Sequence, residues 1–257
     1  MSVKNILIIL STVAVLGEAA FVDTLKQCSI KDRECQRSVL QKVLKEYGKT
    51  GIPEYNVPVF EPVTLKDVSL PLLNAVNLTL IEGKLKGLSG CIVNKFDANF
   101  NKKYVSLDIT CDLSLKGNYK AISEGPLIRS VLGGNSLVGD GKTKVKIEKF
   151  NVKFNVNIDV KSRNGDTYIV SKDDKLNYQY DVLGKVSIVA NNLLLDGKDV
   201  SVQVTDLLNQ SWRLVMQTVG DQVMTRAIDT ARELIKSIFE NVPTKYYLTE
   251  DLTRYVS

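Results

Sequence analysis

Between Val57 and Val204, apolar residues recur mostly at every second position, the period of β-strands with one buried and one wet face. The clearest stretch sets Val105, Leu107, Ile109, Cys111, Leu113 and Leu115 against Ser106, Asp108, Thr110, Asp112, Ser114 and Lys116. Cys111 therefore points inward. A turn near Asn101 folds this strand back along the preceding segment and sets Cys91 opposite Cys111. The same register brings Lys95 against Leu107, which predicts a bulge nearer the tip. Further along, Val145 and Ile147 share one phase, whereas Phe150, Val152, Phe154, Val156, Ile158 and Val160 share the other. The switch at Glu148-Lys149 predicts a β-bulge that bends one long strand. Asn164-Gly165 supplies a hairpin turn. Leu176, Tyr178, Tyr180 and Val182, then Val186 and Ile188, then Val200, Val202 and Val204 continue the alternation. Such a sheet is long and strongly curved.

Two segments depart from this period. From Asp32 to Tyr47, the residues Cys35, Val39, Leu40, Val43, Leu44 and Tyr47 stand at helical spacings, with Asp32 as the cap and Gly48 as the stop. Gly51-Ile52-Pro53 then breaks the chain, and Pro58 and Pro62 hold it extended. From Leu208 onward, Trp212, Val215, Met216, Val219, Val223, Ile228, Ile235 and Phe239 belong to one helical stripe that ends at Pro243. Unbroken, a Leu208–Phe239 helix runs roughly 48 Å at about 1.5 Å per residue. A compact domain of this size has a radius of gyration of about 18 Å and a diameter of about 45 Å. The helix is as long as the whole domain, so the economical architecture is α+β and elongated, with a strongly curved antiparallel sheet wrapped along the C-terminal helix. Gly220 within that helix marks close packing or a bend.

Met1 to Ala20 carry Lys4, the apolar runs Ile6–Leu10 and Val13–Leu16, and small residues at Gly17, Ala19 and Ala20, the three-part pattern of a cleavable signal peptide. Cleavage after Ala19 fits best, because cleavage after Ala20 puts Glu18 at the disfavoured minus-three position. The apolar core is shorter than the roughly 20 residues that a membrane anchor needs. Residues 20–257 contain no linker or low-complexity tract and read as one domain, secreted and extracellular. An oxidising compartment allows disulfides, and four cysteines allow three pairings. If Cys91 faces Cys111 across the hairpin, Cys28 and Cys35 remain as the second pair. A net charge of +5, spread along the chain, fits solvated lysines on strand faces better than a nucleic-acid partner.

Catalytic and cofactor chemistry finds little support. With no histidine the chain holds no Ser-His-Asp or Cys-His nucleophile, and with no CxxC spacing it offers no zinc site. Walker A and GxGxxG patterns are absent, Gly133-Gly134 reads as a turn, and Asp173-Asp174 reads as a solvated loop. The expectation is a protein without cofactor or metal that is not an enzyme. Two sequons, at Asn77 and Asn209, permit glycosylation; Asn77 lies in strand-like sequence, whereas Asn209 serves equally as a helix cap. The apolar stripe of the long helix is either plain core or one wall of a ligand tunnel. Met216 and Met224 are adaptable wall-formers, and a long helix inside a curved sheet closes with difficulty. A tunnel on this reading is centred on Trp212, Met216 and Val219 and faced by Leu107, Ile109, Phe154 and Val156. The helix bearing Val39 and Val43 covers one end.

A set of ordered segments carries a resemblance: the early Cys28 and Cys35, Gly51-Ile52-Pro53 followed by Val57-Pro58-Val59-Phe60-Glu61-Pro62, the Gly117-Asn118-Tyr119 step, Asn191-Asn192-Leu193-Leu194-Leu195-Asp196-Gly197 leading into Leu208-Asn209-Gln210-Ser211-Trp212, and Phe239-Glu240-Asn241-Val242-Pro243. In order and spacing, over essentially the full mature length, these resemble the secreted insect takeout and juvenile-hormone-binding proteins. The resemblance implies a curved sheet around a long C-terminal helix, the lipid-carrier architecture shared with lipopolysaccharide-binding proteins, and an apolar tunnel for a terpenoid, fatty acid or similar lipid. It also implies the Cys28–Cys35 bridge. Cys91 and Cys111 lie outside the usual takeout pattern, so their pairing rests on hairpin symmetry alone. Pocket residues vary across the family, and no hormone site carries over. The expected protein is a monomeric carrier of a small hydrophobic ligand that does not require membrane contact; the competing reading is an extracellular protein that recognises membrane or microbial lipid surfaces.

Overall fold

The computed structural model describes residues 20–72, 76–124, 126–172 and 177–257. The leader and its cleavage site, Asp173, Asp174 and Leu176 lie outside the described residues. Among those described, the chain forms α1 (Arg33–Tyr47), β1 (Val63–Leu72), β2 (Val76–Lys86), β3 (Ile92–Asn99), β4 (Tyr104–Glu124), α2 (Pro126–Leu132), β5 (Ser136–Arg163), β6 (Asp166–Ser171), β7 (Asn177–Val182), β8 (Val186–Ala190), β9 (Leu193–Leu195), β10 (Lys198–Asp199), α3 (Ser201–Gln210) and α4 (Trp212–Phe239). No described helix is long and apolar enough to cross a membrane.

The ten strands make one antiparallel sheet organised by β5, which is 28 residues long. On one side β5 pairs with β4 from Tyr104↔Asn157 to Glu124↔Ser136. On the other it meets four short strands in turn: β6 along residues 158–163, β7 along 150–155, β8 along 143–147 and β9 along 137–139. Straight, β5 would extend roughly 90 Å at about 3.3 Å per residue, far beyond the roughly 42 Å of the 28-residue α4 at about 1.5 Å per residue. The strand must bend, and it does so at Glu148-Lys149, where two residues oppose Asp112 alone. Lys149 there has φ 51°, and its N–H donates to Asp112 Oδ1 at 2.7 Å. Because the strand turns over at this point, α4 touches β1 near one edge of the sheet as well as β6 and β8 beyond β5. The sheet wraps the helix.

The hairpin reading holds in detail. Cys91 and Cys111 are bonded, as are Cys28 and Cys35. The extra residue that relieves Lys95 of its clash with Leu107 is Asn94, between the Val93↔Ile109 and Lys95↔Asp108 pairs. Asn164 and Gly165 both take positive φ, the requirement of a tight hairpin turn. Asp32 caps α1, its Oδ1 accepting from Cys35 N at 3.0 Å.

Three local expectations need correction, whereas α1 does stop at Gly48, its C-cap. Val200, Val202 and Val204 are not a strand: α3 begins at Ser201, whose N–H donates to Asp199 Oδ1 at 2.8 Å, so that Val204 is buried while Val202 is 68% exposed. Three valines on alternate positions fit either period, and the Asp199 carboxylate, one residue ahead of the N-cap Val200, favours the helix by accepting from its first N–H. The long helix begins earlier than Leu208 and is interrupted at Ser211, with φ −108° and ψ 24°. Asn209 is no cap; within α3 its Nδ2 donates to Ile188 O at 2.9 Å and its Oδ1 accepts from Ile188 N at 2.6 Å, fastening the helix to β8. At the end of α1, Gly48 keeps right-handed backbone, φ −58°, and the left-handed residue is Gly51, φ 67°, whose N–H closes on Tyr47 O at 2.8 Å. Helix α2, between β4 and β5, carried no clear signal. Gly220 is a close-packing glycine: a Cβ there would lie 2.1 Å from Tyr180 Oη.

Candidate functional site

The site is built where both termini of the described chain meet the open end of β3, β4 and β5. Residues 28–30 and 247–250 run side by side: Cys28 N donates to Tyr247 O at 3.0 Å, Thr249 N to Cys28 O at 3.0 Å, and the Glu250 carboxylate accepts from Ser29 Oγ at 2.6 Å and Ile30 N at 2.9 Å. From this seam α1 starts, tied by its disulfide, and lies against β3. Gln41 latches it there. Its Nε2 donates to Cys91 O and its Oε1 accepts from Val93 N, both at 2.8 Å, while Arg37 Nη1 donates to Val93 O at 3.0 Å. Nearby, burial pushes the Glu61 carboxyl up, but hydrogen bonds from Ser89 and Gly87 outweigh it and hold the group below its ordinary value. That buried carboxylate anchors the segment ahead of β1 to the loop ahead of β3.

Beneath α1 lie two adjoining cavities. The larger, about 70 Å³, is lined by Val39 and Val43 of α1, by strand residues including Ala98 and Ile169, by Ile238 near the end of α4 and by Leu248 of the C-terminal segment. The smaller, about 40 Å³, is lined by Leu107, Phe154, Val156 and Ile158 together with Ile235 of α4. Leu40, Phe96, Val105 and Phe239 line both and form the partition. Among the described residues, no carboxylate, lysine or arginine lines either cavity.

The polar side chains on these walls are Gln36 and Tyr247 in the larger cavity and Ser171 in the smaller. Among the described residues, Gln36 Oε1, Tyr247 Oη and Ser171 Oγ are each buried without a hydrogen-bond partner. Burial pushes the Tyr247 phenol well above its ordinary pKa, so it stays protonated at neutral pH.

Of the expected tunnel residues, the structure gathers Val39, Val43, Leu107, Phe154 and Val156 around these cavities. Ile109, Trp212 and Met216 pack, partly buried, against the same core, and Val219 is buried on α4; none of these four lines either cavity. The cavities adjoin the C-terminal end of α4, whereas Trp212, Met216 and Val219 occupy its first turns. Leu40 was within reach of the sequence as a neighbour of Val39 on the α1 stripe. Phe96, Gln36 and Tyr247 were not, since a bulged hairpin, a polar residue and a segment beyond Pro243 carry no periodic signal.

The sequence model of the family described as haemolymph juvenile hormone binding protein (JHBP) matches residues 6–249. The chain belongs to that family. Among solved structures, Takeout 1 of Epiphyas postvittana superposes with a TM-score of 0.76 at 26% identity, covering 88% of this chain and 100% of that one. A lipopolysaccharide binding protein aligns with a TM-score of 0.43 at 9% identity, covering 83% of this chain and 39% of that one, too distant to support any argument. No curated protein sequence matches the chain. For this JHBP-family member, the match to Takeout 1 agrees with an α+β lipid-carrier fold in which an open antiparallel sheet holds a C-terminal helix.

Proposed function

We propose that the protein is a secreted, non-enzymatic carrier that holds a small hydrophobic molecule, a terpenoid, fatty-acid-derived or similar lipid, in the space beneath α1. The observation that carries this reading is the pair of adjoining apolar cavities with no charged wall, in a member of a family described by hormone binding. Burial of apolar surface at about 25 cal/mol per Å² is enough to hold such a ligand without any catalytic group. Each cavity is smaller than the roughly 150 Å³ void that takes benzene. A lipid chain therefore enters by turning aside the Leu40, Phe96, Val105 and Phe239 partition, with α1 as the covering element.

On this proposal residues 1–19 are a removed signal peptide, residues 20–257 form one lipid-binding domain acting as a monomer, and the exposed Asn77 of β2 accepts a glycan. The proposed ligand contacts are Val39, Val43, Leu107, Phe154 and Val156; Ile109, Trp212, Met216 and Val219 become contacts only for a longer tail that opens the core along α4. Organic extraction of the purified secreted protein followed by mass spectrometry tests the reading. A stoichiometric lipid, and saturable rebinding of it that is indifferent to salt, supports a carrier. Binding only to anionic vesicles, lost as salt screens exposed charges, would replace it with recognition of lipid surfaces.

A further inference from the structure

Within the larger cavity one amide oxygen and one phenol stand out from an otherwise apolar wall. Gln36 is 7% exposed, and its Nε2 donates to Ser29 O at 2.7 Å. A carbonyl only accepts, so the amide is fixed with nitrogen toward Ser29, and Oε1 is left buried with no donor. The Tyr247 hydroxyl is likewise buried and unpartnered, its ring held edge-on to Phe239 at 6.2 Å between centroids. Both residues line the same cavity. They are far apart in sequence but carried by one seam, since Ser29 follows Cys28 and Cys28 N bonds Tyr247 O.

Leaving buried polar atoms without partners is costly, and native structures resolve most such cases with a bound group or water. We infer that this end of the cavity is the head-group subsite for a neutral, hydroxyl-bearing lipid, whose O–H donates to Gln36 Oε1 and whose oxygen accepts from the Tyr247 hydroxyl. The inference rests on the carrier reading and narrows it to a ligand class. A single hydroxyl is both donor and acceptor, which matches the two orphan atoms. An ester or ether accepts from Tyr247 but leaves Gln36 unanswered. A carboxylate also only accepts, and it brings a charge into a wall that offers none to balance it. Ser171 is the one polar side chain among the described residues lining the smaller cavity, and alone it fixes no head group.

The test compares dodecan-1-ol, dodecanoate and methyl dodecanoate for binding to the mature, disulfide-intact protein, with Tyr247→Phe and Gln36→Met alongside. The expected result is that the alcohol binds at least tenfold more tightly than the ester or the carboxylate, about 1.4 kcal/mol, and that each substitution collapses this preference. Tyr247→Phe deletes only an unpartnered hydroxyl, so it remains informative if Gln36→Met, which also loses the bond to Ser29, fails to fold. Equal or tighter binding of the ester or carboxylate, or a preference that survives both substitutions, overturns the subsite while leaving the carrier standing. A mature protein that binds none of the three, and yields no lipid on extraction, overturns both.

Discussion

The molecule holds a tyrosine toward each end of β4, and the two are used differently. Tyr119 is 3% exposed, packed with Ala121, Ile128, Leu137, Leu193 and Val204, and its hydroxyl donates to Asn191 O at 2.8 Å. Tyr247, across from the beginning of β4, keeps a buried hydroxyl with no partner beside a cavity. The ends also differ in how they are held. Around Tyr119 the strands and α3 close by packing. Around Tyr247 the wall atoms forgo contacts across a void, which loses dispersion energy, and the structure there is tied instead by both disulfides, the Gln41 latch on β3 and the Glu250 carboxylate. A closed end can rely on its core. The end proposed to admit a ligand is held at its rim.

Removing the ties challenges this contrast most directly. In the chain-entropy model, Cys28→Ser with Cys35→Ser costs about 2.5 kcal/mol, and Cys91→Ala with Cys111→Ala about 3.3 kcal/mol. The loss should concentrate at the cavity end, because terminal elements with few packing contacts open at low free energy. Hydrogen exchange is expected to speed first in α1 and β3, with β9 and the Tyr119 region protected until global unfolding. Uniform loss of protection along the sheet would show that the rim is not held separately from the core.

Exchanging the two phenols for phenylalanine comes next. Tyr119→Phe strands the Asn191 carbonyl and should cost about 1 to 2 kcal/mol in urea unfolding. Tyr247→Phe removes a hydroxyl that burial already penalises, so its stability should hold or rise. Equal destabilisation by both would mean that Tyr247 has a partner in solution and that the two ends are alike.

How far this contrast could be read in advance depends on what carries a periodic signal. Strand phase, the Glu148-Lys149 bulge, the Asn164-Gly165 turn and the Cys91–Cys111 pairing were all legible, because each is fixed by local alternation or by symmetry about a hairpin tip. The switch from strand to helix after Asp199 was not, since Val200, Val202 and Val204 satisfy both periods and a single carboxylate hydrogen bond settles the matter. The cavity was half legible. Val39, Val43, Leu107, Phe154 and Val156 follow from inward-facing patterns, but which stretch of α4 they oppose depends on how the sheet curls. Gln36 and Tyr247 depend on the seam between residues 28–30 and 247–250, a long-range pairing with no trace in local sequence.

A smaller effect locates the space along α4. Val39→Phe adds volume on the cavity wall, and affinity for an extracted lipid should fall at least tenfold, about 1.4 kcal/mol, with little change in melting temperature. Met216→Trp adds volume where the side chain packs against core and lines neither cavity. Overpacking there should cost about 1 to 3 kcal/mol of stability. If Met216→Trp instead weakens binding without loss of stability, the tunnel continues to the first turns of α4 and the partition at Phe239 is open in solution.

The smallest effect is absent at neutral pH and appears only in alkali. Burial first, then Asp199 and Asp140, push the Tyr119 phenol up to about 12, and burial pushes the Tyr247 phenol up as well. In the unfolded chain both titrate near pH 10, roughly the ordinary tyrosine value. Above that pH the unfolded state has released protons that the folded state still holds, so stability falls as pH rises toward the folded values; below it the contribution is fully present. For a chain of this size each kcal/mol lost lowers the melting temperature by about 2 to 4 °C. The melting temperature should therefore decline more steeply above about pH 10 in the parent than in either Tyr119→Phe or Tyr247→Phe, each of which removes one of the two contributions. A decline of the same slope in all three proteins would show that neither phenol is held neutral by its surroundings.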